Sequence, residues 1–366
     1  MDASAQKLDG LEALRGVAAL VVLLHHAFGW IALPQNFNTT LLGGVFKEGN
    51  LGVNIFFVLS GFVITWSNPK DGRSPREVLI YVLRRLTRIF PMYWVACLTV
   101  LPLYWKFAPA TLGEVTALRA LYDWFLLPFH LTPMLPGAWT LVFEMLFYML
   151  FIPMLLSRRA GLAMWAGISA IIVGVMVLNV ELQNVWAARL TSPYVLEFLI
   201  GMVVCLWIRK RPVSPSTATA LVWAGTLLML ALVAVECLAA GDWIPANLHY
   251  AACAGLLVAG LVSLPAPADG AHSRAFRILQ VLGRYSYSIY LFHIPIQQIM
   301  MRVAVKTLGT DPGLAMVLGV LLAMIAGSLT AGILAGRFLE IPMLDWCKKQ
   351  IARLKPRRPA AAATQS

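Results

Sequence analysis

The chain has 366 residues, 60% of them hydrophobic and only 13% charged, with a mean hydropathy of +0.76. Soluble globular chains carry about a quarter charged residues, so this balance excludes that class and points to a polytopic membrane protein. The formal net charge of +12 raises nucleic acid as a partner, and the placement of the basic residues has to decide it.

Apolar runs of membrane-crossing length predict an all-α bundle of about ten transmembrane helices, near 11–31, 51–66, 86–107, 138–157, 160–180, 194–209, 218–240, 247–264, 286–306 and 313–337. With the amino terminus placed inside, most lysines and arginines fall in inner segments, in clusters around Arg84, Arg158, Arg209, Arg277 and Arg353. The positive-inside rule then predicts both termini in the cytoplasm of a multi-pass membrane protein. The same distribution accounts for the basic excess without nucleic acid. Residues 1–345 are expected to form one integral membrane domain, and 346–366 a basic, disordered cytoplasmic tail against anionic lipid. The five cysteines show no metal-ligand spacing, so they read as small buried side chains and no metal site is expected.

The first span, "LEALRGVAALVVLLHHAFGW", carries Arg15, His25 and His26. Its length, internal arginine and lack of a small-x-small cleavage site predict a retained helix rather than a signal peptide. Arg15 and His26 are eleven residues apart; at 100° per residue they share a helix face, separated by about 16 Å along the axis. His25 points roughly 100° away and reads as a packing or interface residue. A histidine this deep in a span is costly and usually borders a cavity or a proton path.

In the second span, Ser60 and Gly61 sit near mid-membrane, where small residues serve close helix packing or border a narrow channel. The segment "YVLRRLTRIFPMYW" stacks Arg84, Arg85 and Arg88 just inside the cytoplasmic face. Arg85 and Arg88 are i, i+3 neighbours, a geometry that suits phosphate oxygens. The fourth span opens with "AWTLVFEMLFY", which puts Glu144 in the same outer half as His26. That depth is compatible with a base oriented by a carboxylate, or with a plain interhelical ion pair. In the ninth span, "GRYSYSIYLFHIPI", Tyr290 and His293 share a face and Pro295 interrupts the helix just beyond. Late in the chain, Arg337 and Glu340 lie one turn apart and are expected to pair with each other.

Together these residues resemble the membrane-bound acyltransferase 3 family, bacterial O-acyltransferases of surface glycans and some small glycosides, from about Leu8 to Pro342. The family's arginine–ten residues–histidine signature matches Arg15 and His26. Its Phe-x-x-Ser-Gly-Phe matches Phe57, Ser60, Gly61 and Phe62, and its Arg-x-x-Arg-Ile-x-Pro matches Arg85, Arg88, Ile89 and Pro91. Its Tyr-x-x-Tyr-Leu-x-His matches Tyr287, Tyr290, Leu291 and His293. Its Trp-Ser-Leu-x-x-Glu becomes Trp139, Thr140, Leu141 and Glu144, with threonine keeping the hydroxyl. The length is expected to leave no room for the extracytoplasmic hydrolase-like domain of some relatives.

The resemblance implies transfer of an acyl group, usually acetyl, from cytoplasmic acyl-coenzyme A, a co-substrate rather than a tightly bound cofactor, to a glycan or glycoside hydroxyl. Arg85 and Arg88, joined by Arg15, would hold the donor's phosphates. Ser60, Tyr290 and His293 would line its path, and His26 would act as general base or acyl carrier with Glu144 supporting it. A proton-coupled carrier of a sugar or lipid-linked intermediate fits the same intramembrane charges, and an export scaffold would use them to glue helices.

Overall fold

The computed structural model describes residues 3–41, 50–107, 116–128, 133–238, 248–265 and 273–354, and among these every regular element is helical. In chain order the helices are α1 (Ala3–Ala32), α2 (Asn50–Ser67), α3 (Pro75–Phe107), α4 (Ala117–Trp124), α5 (Trp139–Leu150), α6 (Ile152–Leu156), α7 (Arg158–Val177) and α8 (Val185–Leu190). They continue as α9 (Tyr194–Lys210), α10 (Pro215–Leu238), α11 (Leu248–Ser263), α12 (Arg274–Arg284), α13 (Ser286–Leu308), α14 (Leu314–Ala335), a π turn (Gly336–Glu340) and α15 (Ile341–Arg353). The chain is thus an all-helical, multi-pass membrane bundle. Large apolar side chains on its outside, such as Leu98, Trp105, Trp223 and Phe338, are more than half exposed, as a lipid-facing surface requires.

Each predicted span falls on helix, but among the described residues seven stretches are long and apolar enough to cross a bilayer by length and composition. Helices α2 and α11 are apolar but shorter, and α13 is not among the seven. The reason in α13 is chemical: His293, Gln297 and Gln298 are buried polar side chains, turned into protein rather than lipid. The predicted tail also needs correction, since α15 continues helical to Arg353, past the boundary expected at 346. Residues 355–366 of that tail lie outside the described residues.

Helices α1 and α2 form the centre. Helix α2 packs on α9 and α11; α1 packs on α12 and α13, and α13 in turn on α3 and α14. Two crossings are set by glycine. A Cβ built on Gly61 would lie 2.0 Å from the Phe198 carbonyl oxygen, and one on Gly201 2.0 Å from that of Val58, so α2 and α9 touch backbone to backbone. Phe198 then stacks on Phe147 at 4.4 Å and on Phe57 at 4.6 Å, fastening α5 to the same pair. Gly16 and Gly283 bring α12 against the start of α1 in the same manner. Gly201→Val should force this crossing apart and cost about 1–3 kcal/mol or more, read as a lower Tm of the detergent-solubilised protein. An unchanged Tm would show that the crossing has room.

The loop before α3 also pins the bundle. Asp71 accepts from the backbone N–H of Arg158 at 2.9 Å, capping α7, and that bond holds its carboxyl below the usual carboxylate range. The cap is therefore complete at neutral pH, and is lost only as acidification protonates Asp71.

Candidate active site

Five helices, α1, α2, α3, α5 and α13, converge on a cavity of about 250 Å³ beside Arg15. From α1, Arg15 Nε donates to Ser286 Oγ at 3.3 Å. From α3, Arg85 lies between the rings of Tyr81 and Tyr148, its Cζ 5.5 and 5.6 Å from their centroids. Its buried Nε has no hydrogen-bond partner in the protein, so a cavity wall carries a cation with donor capacity in reserve. From α5, Glu144 receives the Tyr148 hydroxyl and stands 3.5 Å from Ser60 Oγ of α2.

Arg88 lines the same cavity but is already engaged. Its Nη1 meets Glu340 Oε1 at 2.5 Å, and Ser288 Oγ donates to Glu340 Oε2 at 2.5 Å. This corrects the expected Arg337–Glu340 pair. The π turn at Gly336–Glu340 directs Glu340 inward, where it is 2% exposed, while Arg337 stays outside with its Cζ 5.6 Å from the Phe338 ring. Of the three arginines that line this cavity, Arg88 is thus the one paired with a buried carboxylate.

A second cavity, about 390 Å³, is lined by His25, His26, Trp30, Gly137, Trp139 and Tyr290, among others. His26 faces it from the same side of α1 as Arg15 faces the first, as helix geometry predicts. His25 lines it too, with its ring 4.8 Å from that of His26, so it is no mere packing residue.

His293 stacks behind His26 with ring centroids 5.1 Å apart, and is on the wall of neither cavity. It therefore does not sit where a donor-binding residue was expected. Its Nδ1 lies 2.7 Å from the Tyr290 carbonyl oxygen; since a carbonyl only accepts, that nitrogen carries the proton and Nε2 is left with a lone pair. His293 Nε2 is buried without a partner.

The expected His26–Glu144 pair does not form. Thr140 Oγ1 is 2.9 Å from the Tyr290 hydroxyl, which fixes the level of α5; Glu144, one turn further, belongs with Ser60 and Arg15 in the first cavity. Tyr290 and Val53 are shared by both cavities. The Tyr290 hydroxyl also donates to the Gly137 carbonyl at 3.1 Å, and Gly137 itself has φ +86°, a left-handed turn that suits glycine. Tyr290 is thus a wall between a cationic chamber and a histidine chamber, held upright by the hydroxyl that threonine supplies at position 140.

Sequence reasoning missed Tyr148, although its i, i+4 spacing from Glu144 marks it on the same face. It also missed the pair made by Asn54 Nδ2 and Glu197 Oε1 at 2.6 Å, both residues 0% exposed, which braces α2 against α9 outside both cavities. Among the described residues, no three His, Cys, Asp or Glu side chains come together as a metal site.

Residues 8–335 match the family described as an acyltransferase domain. Similar proteins include the acyltransferase MdmB of Streptomyces mycarofaciens, 28% identical over 98% of this chain and 95% of that protein. The exopolysaccharide production protein ExoZ of Rhizobium meliloti is 32% identical over 82% of this chain and 92% of its own length. The peptidoglycan O-acetyltransferase OatA of Listeria monocytogenes is 25% identical over 79% of this chain, but only 49% of that protein is covered. No solved structure matches.

Proposed function

This chain belongs to the acyltransferase family, and from that premise we propose that it moves an acyl group, acetyl by preference, from acyl-coenzyme A to a hydroxyl of a surface or exported glycan at a bacterial inner membrane. The observation that carries the reading is the pair of adjoining cavities, one lined by Arg15 and Arg85 and the other by His26, with Tyr290 shared between them. The glycan class is supported by the relatives that are named for exopolysaccharide production and peptidoglycan O-acetylation.

In this reading the anionic head of the donor rests against Arg15 and Arg85, and its uncharged arm passes Tyr290 into the second cavity. The distance along α1 from Arg15 to His26, about 16 Å, suits such a flexible arm. His26 takes the proton of the acceptor hydroxyl as its oxygen attacks the thioester carbonyl. The C–S bond then breaks, and the imidazolium returns the proton to the departing thiolate. The stack with His293 holds the His26 ring in place, and Glu144 balances the arginines of the first cavity rather than serving the histidine.

Purified protein in detergent, given radiolabelled acetyl-coenzyme A and glycan acceptors, is expected to label the glycan in a donor-dependent manner. Accumulation of unmodified sugar in vesicles without any acyl donor would instead favour a carrier and overturn the reading.

A further inference from the structure

A third cavity, of about 400 Å³, lies at the end of α1 away from Arg15, lined by Trp30, Gln35 and Asn36 together with side chains of α13 between 298 and 306. One side chain lines both this cavity and the histidine cavity, and it is Trp30. Trp30 follows His26 by four residues on α1, so the two stand about 6 Å apart along the axis and about 40° apart around it. Arg15, His26 and Trp30 thus rise along one side of the helix and mark the three cavities in order.

The indole is placed by its own backbone. After α1 the chain reverses, with Asn36 N donating to Leu33 O at 2.9 Å and Asn36 Nδ2 to Trp30 O at 2.7 Å. A carbonyl in the last turn of the helix is thereby met, and Trp30 is tied to the turn instead of fraying with the helix end. Its side chain is not met in the same way, because Nε1 is buried and has no hydrogen-bond partner among the described residues. An indole nitrogen only donates, and a buried donor is costly to leave unpaired. In a cavity wall, such a donor is accounted for by an acceptor atom that a ligand brings. A neutral donor on the edge of a flat apolar ring suits a ring-shaped ligand with uncharged oxygens beside its reacting hydroxyl, which is the chemistry of a sugar.

We infer that Trp30 is the acceptor-binding residue: its N–H donates to an oxygen of the sugar, its ring supports the sugar between the third cavity and the histidine cavity, and a neighbouring hydroxyl is delivered to His26. The inference rests on the acyl-transfer reading, and adds to it the residue that selects the acceptor and the end from which the acceptor arrives. Donor and acceptor then approach His26 from opposite ends of α1, so neither has to leave before the other binds. The step of one helical turn from the indole to the imidazole is on the scale of one sugar ring.

The test supplies acetyl-coenzyme A and two kinds of acceptor to the full chain in detergent. One kind is the methyl β-glycosides of glucose, galactose and N-acetylglucosamine; the other is cyclohexanol, which offers a ring and one hydroxyl but no neighbouring oxygen. Trp30→Phe keeps an aromatic ring and removes the N–H. It should raise the KM for the glycosides by about 3- to 10-fold, the worth of one neutral hydrogen bond, and lower the preference for glycoside over cyclohexanol by the same factor. The donor KM should not follow. Trp30→Leu should raise the glycoside KM further, since the flat face is lost as well. An unchanged glycoside KM in Trp30→Phe, or a loss of equal size with cyclohexanol, would overturn the inference. So would a donor KM that rises together with a fall in Tm, the mark of a residue that only packs, or a wild type that acetylates cyclohexanol and none of the glycosides. A wild type that transfers acetyl to none of these acceptors would overturn the acyl-transfer reading, and this inference with it.

Discussion

His26→Ala is expected to lower kcat for acyl transfer by about 10²- to 10⁴-fold, the range a positioned general base contributes, with little change in the KM for the donor. The expectation follows from where the ring sits. It is on the wall of the histidine cavity, backed by His293, at the far side of Tyr290 from the arginines. The donor's head would still find Arg15 and Arg85, so binding should survive the loss of the base. His26 borders space that is already open, and its removal should leave Tm nearly unchanged. His25 lines the same cavity but lacks the stack on His293, so His25→Ala should retain transfer within a few-fold. Full activity in His26→Ala, or an equal loss in His25→Ala, would remove His26 from the catalytic role.

The second large effect separates two arginines that look alike in the sequence. Arg85→Ala should raise the donor KM by about 10- to 100-fold, as expected for the loss of charge-assisted bonds to phosphate, and should leave the fold intact. Arg88→Ala should do something different. Glu340 is 2% exposed and has Arg88 and Ser288 as its partners, so removing the guanidinium strands a buried carboxylate. The cost is about 3–5 kcal/mol, visible as a large drop in Tm or in yield. Adding Glu340→Gln to Arg88→Ala should recover much of that loss, because the stranded charge is gone. An Arg88→Ala protein that melts like the wild type, with a donor KM raised as far as in Arg85→Ala, would show that both arginines grip the donor.

The extent of what could be read in advance follows the range of the interactions. Within one helix the sequence is a reliable ruler, so the common face of Arg15 and His26 follows from their separation alone. The bundle itself was legible from apolar length, and that includes α13: the run at 286–306 falls on Ser286–Leu308, although buried glutamines and a histidine make it less apolar where it lines three cavities. Contacts between helices were not legible, because they depend on how deep each helix sits against its neighbour. Glu144 was expected beside His26 and is found in the other cavity, one turn beyond Thr140 on α5, with Tyr148 and Ser60. Glu340 was expected with Arg337, which would hold on a regular surface helix; the π turn gives it to Arg88 across the bundle instead. Ser60 and Gly61 show both readings at once. The glycine is the crossing point with α9, and the serine beside it lines the cationic cavity.

A structure determined with a non-hydrolysable acetyl-coenzyme A analogue bound tests most directly whether the two cavities flanking Tyr290 form one donor path. Phosphate density is expected against Arg15 and Arg85, with an arm running past Tyr290 and the acyl carbon facing an acceptor oxygen held by His26. An analogue seated elsewhere, or one whose arm stops at a closed Tyr290 with its acyl end in the arginine chamber, would contradict it.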